Sequence, residues 1–203
     1  WGHRYLNVAF PVEVPACGYR AVCISDRAPS LGLVPDEVRD LWGALDLSWR
    51  RISPPDTVLE NEFLRIALDP ASGGIVSLLD KRSGREWTPA GKRTGILQYN
   101  LEQNVGMTAW VIGPFLRRED LLDGGNLKKI HAGPYVQTFR WTRKRNDTTL
   151  ELDITLRQGV PRVDFRLRVD WREIGGPEGT PHLKVRFPLA VREPLARYEI
   201  PFG

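Results

Sequence analysis

Little in this sequence points to a metal, a membrane or a disulfide framework. Histidine occurs three times, at positions 3, 131 and 182, and no His or Cys spacing matches a zinc motif. Of the two cysteines, Cys17 and Cys23 stand six residues apart. Extended chain would separate them by about 20 Å, against the roughly 7 Å a disulfide allows between Cα atoms. They read as free thiols, which favours a reducing, cytoplasmic setting. No run of eighteen apolar residues exists, so no membrane-spanning helix is expected. No signal-like apolar core follows Trp1-Gly2-His3. Starting without Met and ending on Pro201-Phe202-Gly203, the sequence reads as a piece of a longer chain.

A strong charge of one sign is also missing. The 29 basic and 25 acidic side chains leave a net charge of +4, and the basic side is mostly Arg. Arg117-Arg118 is followed at once by Glu119-Asp120, and only Lys128-Lys129 and Arg143-Lys144-Arg145 are dense. Interleaving of this kind describes a solvated surface and argues against nucleic-acid binding.

What the sequence does have is alternation. In Leu59–Trp87, Leu64, Ile66 and Leu68 alternate with Phe63, Arg65 and Ala67, the period of a half-buried strand. Asp69-Pro70-Ala71-Ser72-Gly73-Gly74 follows as a turn, then an apolar run at Ile75–Leu79, then a second turn at Asp80-Lys81-Arg82-Ser83-Gly84. This predicts a β-hairpin, with Asp69 and Asp80 in structural roles at its turns. Glu60 and Glu62 share a strand face that reads as a solvated edge, with sugar or cation binding as the alternative.

Four further alternating runs follow Pro134. They are 135–141, 150–156, 163–171 and 183–189, each with one apolar and one wet face. Short links between them predict an antiparallel meander. A sheet with one apolar face must be covered, so a second sheet is expected and the fold class is all-β. The link Gln158-Gly159-Val160-Pro161 fits a hairpin closed symmetrically about Gly159 and Val160. That closure opposes Arg157 to Arg162, Thr155 to Asp164, Ile154 to Phe165, Asp153 to Arg166, Leu152 to Leu167 and Glu151 to Arg168. Residues 88–133 are broken by seven glycines, with strands expected at Ile96–Leu101 and Thr108–Ile112 and turns at 104–106 and 121–125. Upstream, Tyr5–Phe10 and Tyr19–Ile24 read as strands with prolines at their ends. Residues 26–57 read as a linker, in which Pro35–Trp42 suits a short helix start.

Several of these stretches, in the same order, resemble the large β-domain of family 38 glycoside hydrolases, the α-mannosidases. They are the Asn61-Glu62 doublet, the Gly-rich turn after Asp69, the Ile75-Val76-Ser77-Leu78 run and Asp80-Lys81-Arg82-Ser83-Gly84-Arg85-Glu86. Asp170-Trp171-Arg172-Glu173, Leu183–Pro188 and Tyr198–Gly203 follow. The resemblance implies an antiparallel supersandwich of the galactose mutarotase-like fold over 58–203, truncated at its C-terminal end. Val14–Tyr19 resembles the close of the small β-domain that precedes it, so 1–25 is expected to be a remnant of that domain, leaning on the large domain or on a neighbouring chain. The resemblance also implies that the nucleophilic Asp and the zinc ligands lie in an upstream catalytic domain outside these residues. The chain alone then has no catalytic residue, metal site or cofactor, and its partners are that domain and, in the full enzyme, an α-mannoside.

Within the resemblance, Tyr99–Asn104 and Met107–Trp110 border the cleft side of the β-domain. Glu102, Gln103 and Trp110 are the carbohydrate-contact candidates. Gln103 and Val111 stand where many members carry an acid, which removes charge from the stretch. The plainer alternative makes Trp110 core and gives Glu102 a backbone amide or an Arg to bind. A free-standing carbohydrate-binding sandwich would instead need Trp87, Trp110, Trp141 and Trp171 to face outward. An aldose-epimerase-like enzyme would need a His and an acid converging in a cleft, with His131 and His182 as the available imidazoles.

Overall fold

A computed structural model describes residues 10–22, 57–107, 110–195 and 197. The expected strand at 5–10 for the most part, the short helix at 35–42, Cys23 and the terminal 198–203 motif lie outside the described residues.

Every regular element among the described residues is a strand. The order is β1 (Val58–Glu60), β2 (Leu64–Leu68), β3 (Ile75–Asp80), β4 (Arg85–Glu86), β5 (Ile96–Glu102), β6 (Phe115–Asp120), β7 (Asn126–Ala132), β8 (Val136–Arg145), β9 (Thr148–Arg157), β10 (Val163–Asp170) and β11 (Thr180–Arg186). They form three antiparallel sheets, ordered β1-β2-β3-β4, β10-β9-β8-β7 and β11-β5-β6. One core joins them. Leu59, Ile66 and Ile75 come from the first sheet, Phe139, Trp141, Leu152 and Ile154 from the second, and Leu97 and Tyr99 from the third.

The first hairpin forms as its alternation predicts, with Ile66 opposite Leu78 and a bulge at Ala67/Leu68. Its turns are built by carboxylates. Asp69 accepts from the Ser72 hydroxyl at 2.7 Å and from Arg93 Nε at 2.7 Å. Asp80 accepts from the Arg82 amide and the Ser83 hydroxyl, both at 3.0 Å. The Asn61-Glu62 doublet ties this sheet to the next. Asn61 Nδ2 donates to the carbonyls of Arg157 and Val160, at 2.7 and 3.0 Å, and Glu62 accepts from the Gly159 amide at 2.6 Å. Glu60 pairs with Lys81 at 2.9 Å. Both acids are thus occupied in holding the fold.

The β9–β10 hairpin has the expected register, with Asp153 opposite Arg166, Ile154 opposite Phe165 and Glu151 opposite Arg168. Gly159 takes φ +77°, and Pro161 lies outside the ladder, which begins at Val163. The opposed Arg157 and Arg162 are reconciled by one carboxylate, since both guanidiniums bond Asp164. The charge pairing departs in one respect. Asp153 bonds Arg140 and Arg168, not the directly opposed Arg166. Arg140 is its partner from the other neighbouring strand, and Arg168 reaches it diagonally.

Four expectations need correction. The four-run meander holds for β8, β9 and β10, but the fourth run, β11, pairs with β5, and β7 is the fourth strand of the meander. The reason lies in 171–179, where the Gly176–Gly179 turn carries the chain away from β10 and Asn104 Nδ2 holds the Gly176 carbonyl at 2.8 Å. β11 also stops at Arg186, and Phe187 beyond it packs edge-on against Phe165 at 5.3 Å. Second, the strand expected at 108–112 is a turn over its described part, the Trp110 and Val111 amides both donating to the Met107 carbonyl. Third, β6 and β7 stand where no strand is expected, because Phe115–Asp120 and Asn126–Ala132 alternate poorly and become strands through pairing. Fourth, 19–22 are not strand. Residues 10–22 are exposed throughout.

Candidate functional site

The third sheet brings the candidate residues together. Apolar side chains of β5 at Leu97, Tyr99 and Leu101 belong to the core, where Tyr99 stacks on Trp171 with ring centroids 6.3 Å apart. The alternate side chains, Gln98, Asn100 and Glu102, point to the other face, yet all three are buried. A polar triad buried on the central strand of a small sheet is a feature that alternation alone does not predict.

Glu102 is wholly enclosed. Its Oε1 accepts from the Gly113 amide at 2.5 Å and its Oε2 from His182 Nε2. The Gly113 amide, and behind it the His182 imidazole, hold the carboxyl below the usual carboxylate range against the cost of its burial. Gly113 closes the loop that leaves β5 at Gln103 and returns at β6. His182 is on β11, so one carboxylate fastens this loop and two strands. The expectation that Glu102 binds a backbone amide is met, with His182 in place of an Arg. A His and an acid do converge here, as an epimerase-like enzyme would require. Both carboxylate oxygens are engaged inside the fold, so the pair fastens a loop. His131, on β7, is exposed and stands apart from it.

Above that anchor the loop carries its apolar residues outward. Trp110 is 82% exposed, and Val105, Met107, Val111 and Ile112 are exposed with it. The core reading of Trp110 is therefore corrected. Gln103 is exposed too, its amide donating to the Pro114 carbonyl at 2.9 Å and its side chain left to solvent. Glu102 thus fixes the loop from below while Gln103 and Trp110 stand on it. Replacing Glu102 with alanine should loosen residues 103–113 and leave the β8–β10 meander intact. Amide exchange at Gly113 should rise sharply, and unchanged protection there would show that the carboxylate does not hold the loop.

Of the tryptophans a binding sandwich would need outward, Trp141 is fully buried, and Trp87 and Trp171 are partly buried. Arg85 lies over the Trp87 ring at 3.9 Å. Only Trp110 of the four is free to meet a ligand. Among the described residues, no group of three or more His, Cys, Asp and Glu side chains is placed to hold a metal ion. No helix among them is long and apolar enough to cross a membrane.

The family profile described as the glycosyl hydrolases family 38 C-terminal domain matches residues 59–203. Alpha-mannosidase 2C1 of Mus musculus and that of Homo sapiens are each 30% identical over 151 residues. The match takes in 71% of this chain and 14% of either mannosidase, so the chain spans about one seventh of these relatives.

Proposed function

This chain belongs to the family 38 glycosyl hydrolase C-terminal domains, and on that premise we propose that it serves an α-mannosidase whose catalytic, zinc-binding domain lies upstream of these residues. Over its described residues the chain is an all-β, multi-sheet domain related to that family's hydrolases, and in this reading it is the non-catalytic part of the enzyme. The family match over 59–203 carries the reading. In this division, 58–203 is the large β-domain, 26–57 a linker and 1–25 the end of a smaller β-domain. The match starting at residue 59 supports the main boundary. The parent hydrolyses α-mannosidic bonds in the cytoplasm, a setting supported by the low cysteine content.

In this reading the loop 103–113 faces the upstream domain's cleft. The Trp110 indole offers an apolar face to a sugar ring, the Gln103 amide reaches its hydroxyls, and Glu102 acts indirectly by fixing the loop. The isolated chain, with or without zinc, should not hydrolyse an aryl α-mannoside. Turnover that scales with the chain and survives repurification would end this reading. In the full-length parent, Trp110→Ala should raise KM for an α-mannoside about 3–10-fold with kcat little changed, the signature of lost uniform binding. An unchanged KM would remove Trp110 from the site.

A further inference from the structure

The outer face of the β11-β5-β6 sheet holds an arrangement that the loop anchor does not use. Cross-strand pairing sets Lys184, Gln98 and Asp120 in one row and His182, Asn100 and Arg118 in the next. An antiparallel sheet commonly turns one polar face to water, and that alone calls for no ligand. Two observations take this face further.

The face is hollow. A cleft of about 680 Å³ opens on it, lined by Gln98, Phe115, Arg118 and Lys184 among others. Its cations are also in excess. The carboxylate in the lining, Asp120, is already held by Arg186 Nη1 at 2.6 and 2.8 Å and by Gln98 Nε2 at 2.6 Å. Arg118 has the Phe115 ring instead, at 5.1 Å from its centroid, and the half-buried Lys184 has that ring at 4.1 Å with Glu102 as its nearby negative charge. An aromatic face is a weaker partner for a cation than an oxyanion.

We propose that this cleft binds a saccharide bearing an anionic group, a carboxylate or a phosphate, with Lys184 and Arg118 taking the anion. The cleft is large enough for a sugar with its substituent, and its lining combines one aromatic ring with converging polar groups. The saccharide half rests on the carbohydrate reading above, and the anionic half stands on the cleft itself. The site differs from the Trp110 loop, where no unpaired cation is placed.

The test titrates the isotope-labelled 203-residue chain with glucuronate, mannose 6-phosphate, inorganic phosphate and methyl α-mannoside, following backbone amides. Glucuronate, mannose 6-phosphate or both should give saturable shifts at 98–100, 115–118 and 184–186, about tenfold tighter than methyl α-mannoside and weakening as salt is raised. Whichever of the two binds tighter identifies the anion. The Lys184→Ala/Arg118→Ala chain should bind about tenfold more weakly, with amides outside the cleft unmoved. No saturable shift, equal affinity for methyl α-mannoside, or inorganic phosphate matching the phosphosugar would each overturn the proposal. Methyl α-mannoside perturbing the Trp110 loop while neither acidic sugar shifts the cleft amides would overturn it and leave the carbohydrate reading standing. Acidic sugars filling the cleft while Trp110→Ala leaves the parent's KM unchanged would have the opposite effect.

Discussion

Trp141→Ala should cost the domain about 3–5 kcal/mol, measured as the loss in unfolding free energy by chemical denaturation. Trp141 is the largest of the fully buried side chains, at the point where the β8 face meets the first hairpin. Its Nε1 donates to the Ala71 carbonyl at 3.0 Å, and the Gly125 amide donates to that same oxygen at 3.1 Å. Two glycines make room for the indole. A Cβ on Gly73 would fall 2.6 Å from Trp141 Cγ, and one on Gly125 would fall 1.9 Å from Nε1. Gly73 also has φ +68°, a conformation an L side chain rarely adopts. Backbone packed this closely against a ring cannot collapse into the space alanine leaves, so the cavity persists and its cost is near the top of the range. Gly125→Ala approaches the same contact from the other side and should cost about 1–3 kcal/mol through overpacking. A loss below about 1 kcal/mol for Trp141→Ala would show that the two sheets are not joined through this ring.

The parts of this fold legible in the sequence are those where burial follows parity. Leu150, Leu152, Ile154 and Leu156 are buried on one face of β9, and that regularity fixes the parity, from which the short 158–161 link sets the β9–β10 register that the strands adopt. Illegible strands are those whose partners decide them. Phe115–Asp120 contains four charged residues in six, and it is a strand because β5 offers it a ladder. The destination of β11 is hidden for a related reason. Its alternation states that it is a strand but not which edge it joins, and the choice of β5 depends on a connection of nine residues.

The candidate site is half legible. Glu102, Gln103 and Trp110 lie on one loop base and loop as expected, but their roles divide by burial, which parity does not reveal. Glu102 is fully enclosed and Trp110 is the most exposed of the four tryptophans at issue. The signal that sequence reasoning misses is His182. A lone imidazole at a strand start reads as a loop residue, and it becomes the partner of a buried carboxylate eighty positions away only through the β5–β11 pairing.

The same distinction between register and chemistry yields the second large effect, at Asp153. Asp153→Ala should cost about 2–3 kcal/mol, less than the 3–5 kcal/mol of a fully buried pair because Arg140 and Arg168 reach solvent. Asp153 is 7% exposed on the wet face of β9. It accepts from Arg140 at 2.7 and 2.9 Å and from Arg168 at 3.1 Å, and Glu151 bonds the same two guanidiniums, so the four charges lock β8, β9 and β10 together. Removing the carboxylate leaves two cations facing each other with Glu151 alone between them. The double change Asp153→Leu/Arg140→Met should recover most of the loss, since apolar groups of similar size tolerate such a position. The pH dependence separates charge from packing. Arg140's hydrogen bonds, ahead of Arg168's, hold the Asp153 carboxyl below its ordinary value. A depressed carboxyl stabilises the fold above its unfolded pKa of about 3.9, and that contribution is lost as the pH falls through the folded value. The gap in unfolding free energy between the native chain and Asp153→Asn should therefore be level from about pH 6 to 8 and shrink below about pH 4. A gap that stayed constant down to about pH 3 would mean that shape rather than charge holds the three strands in register.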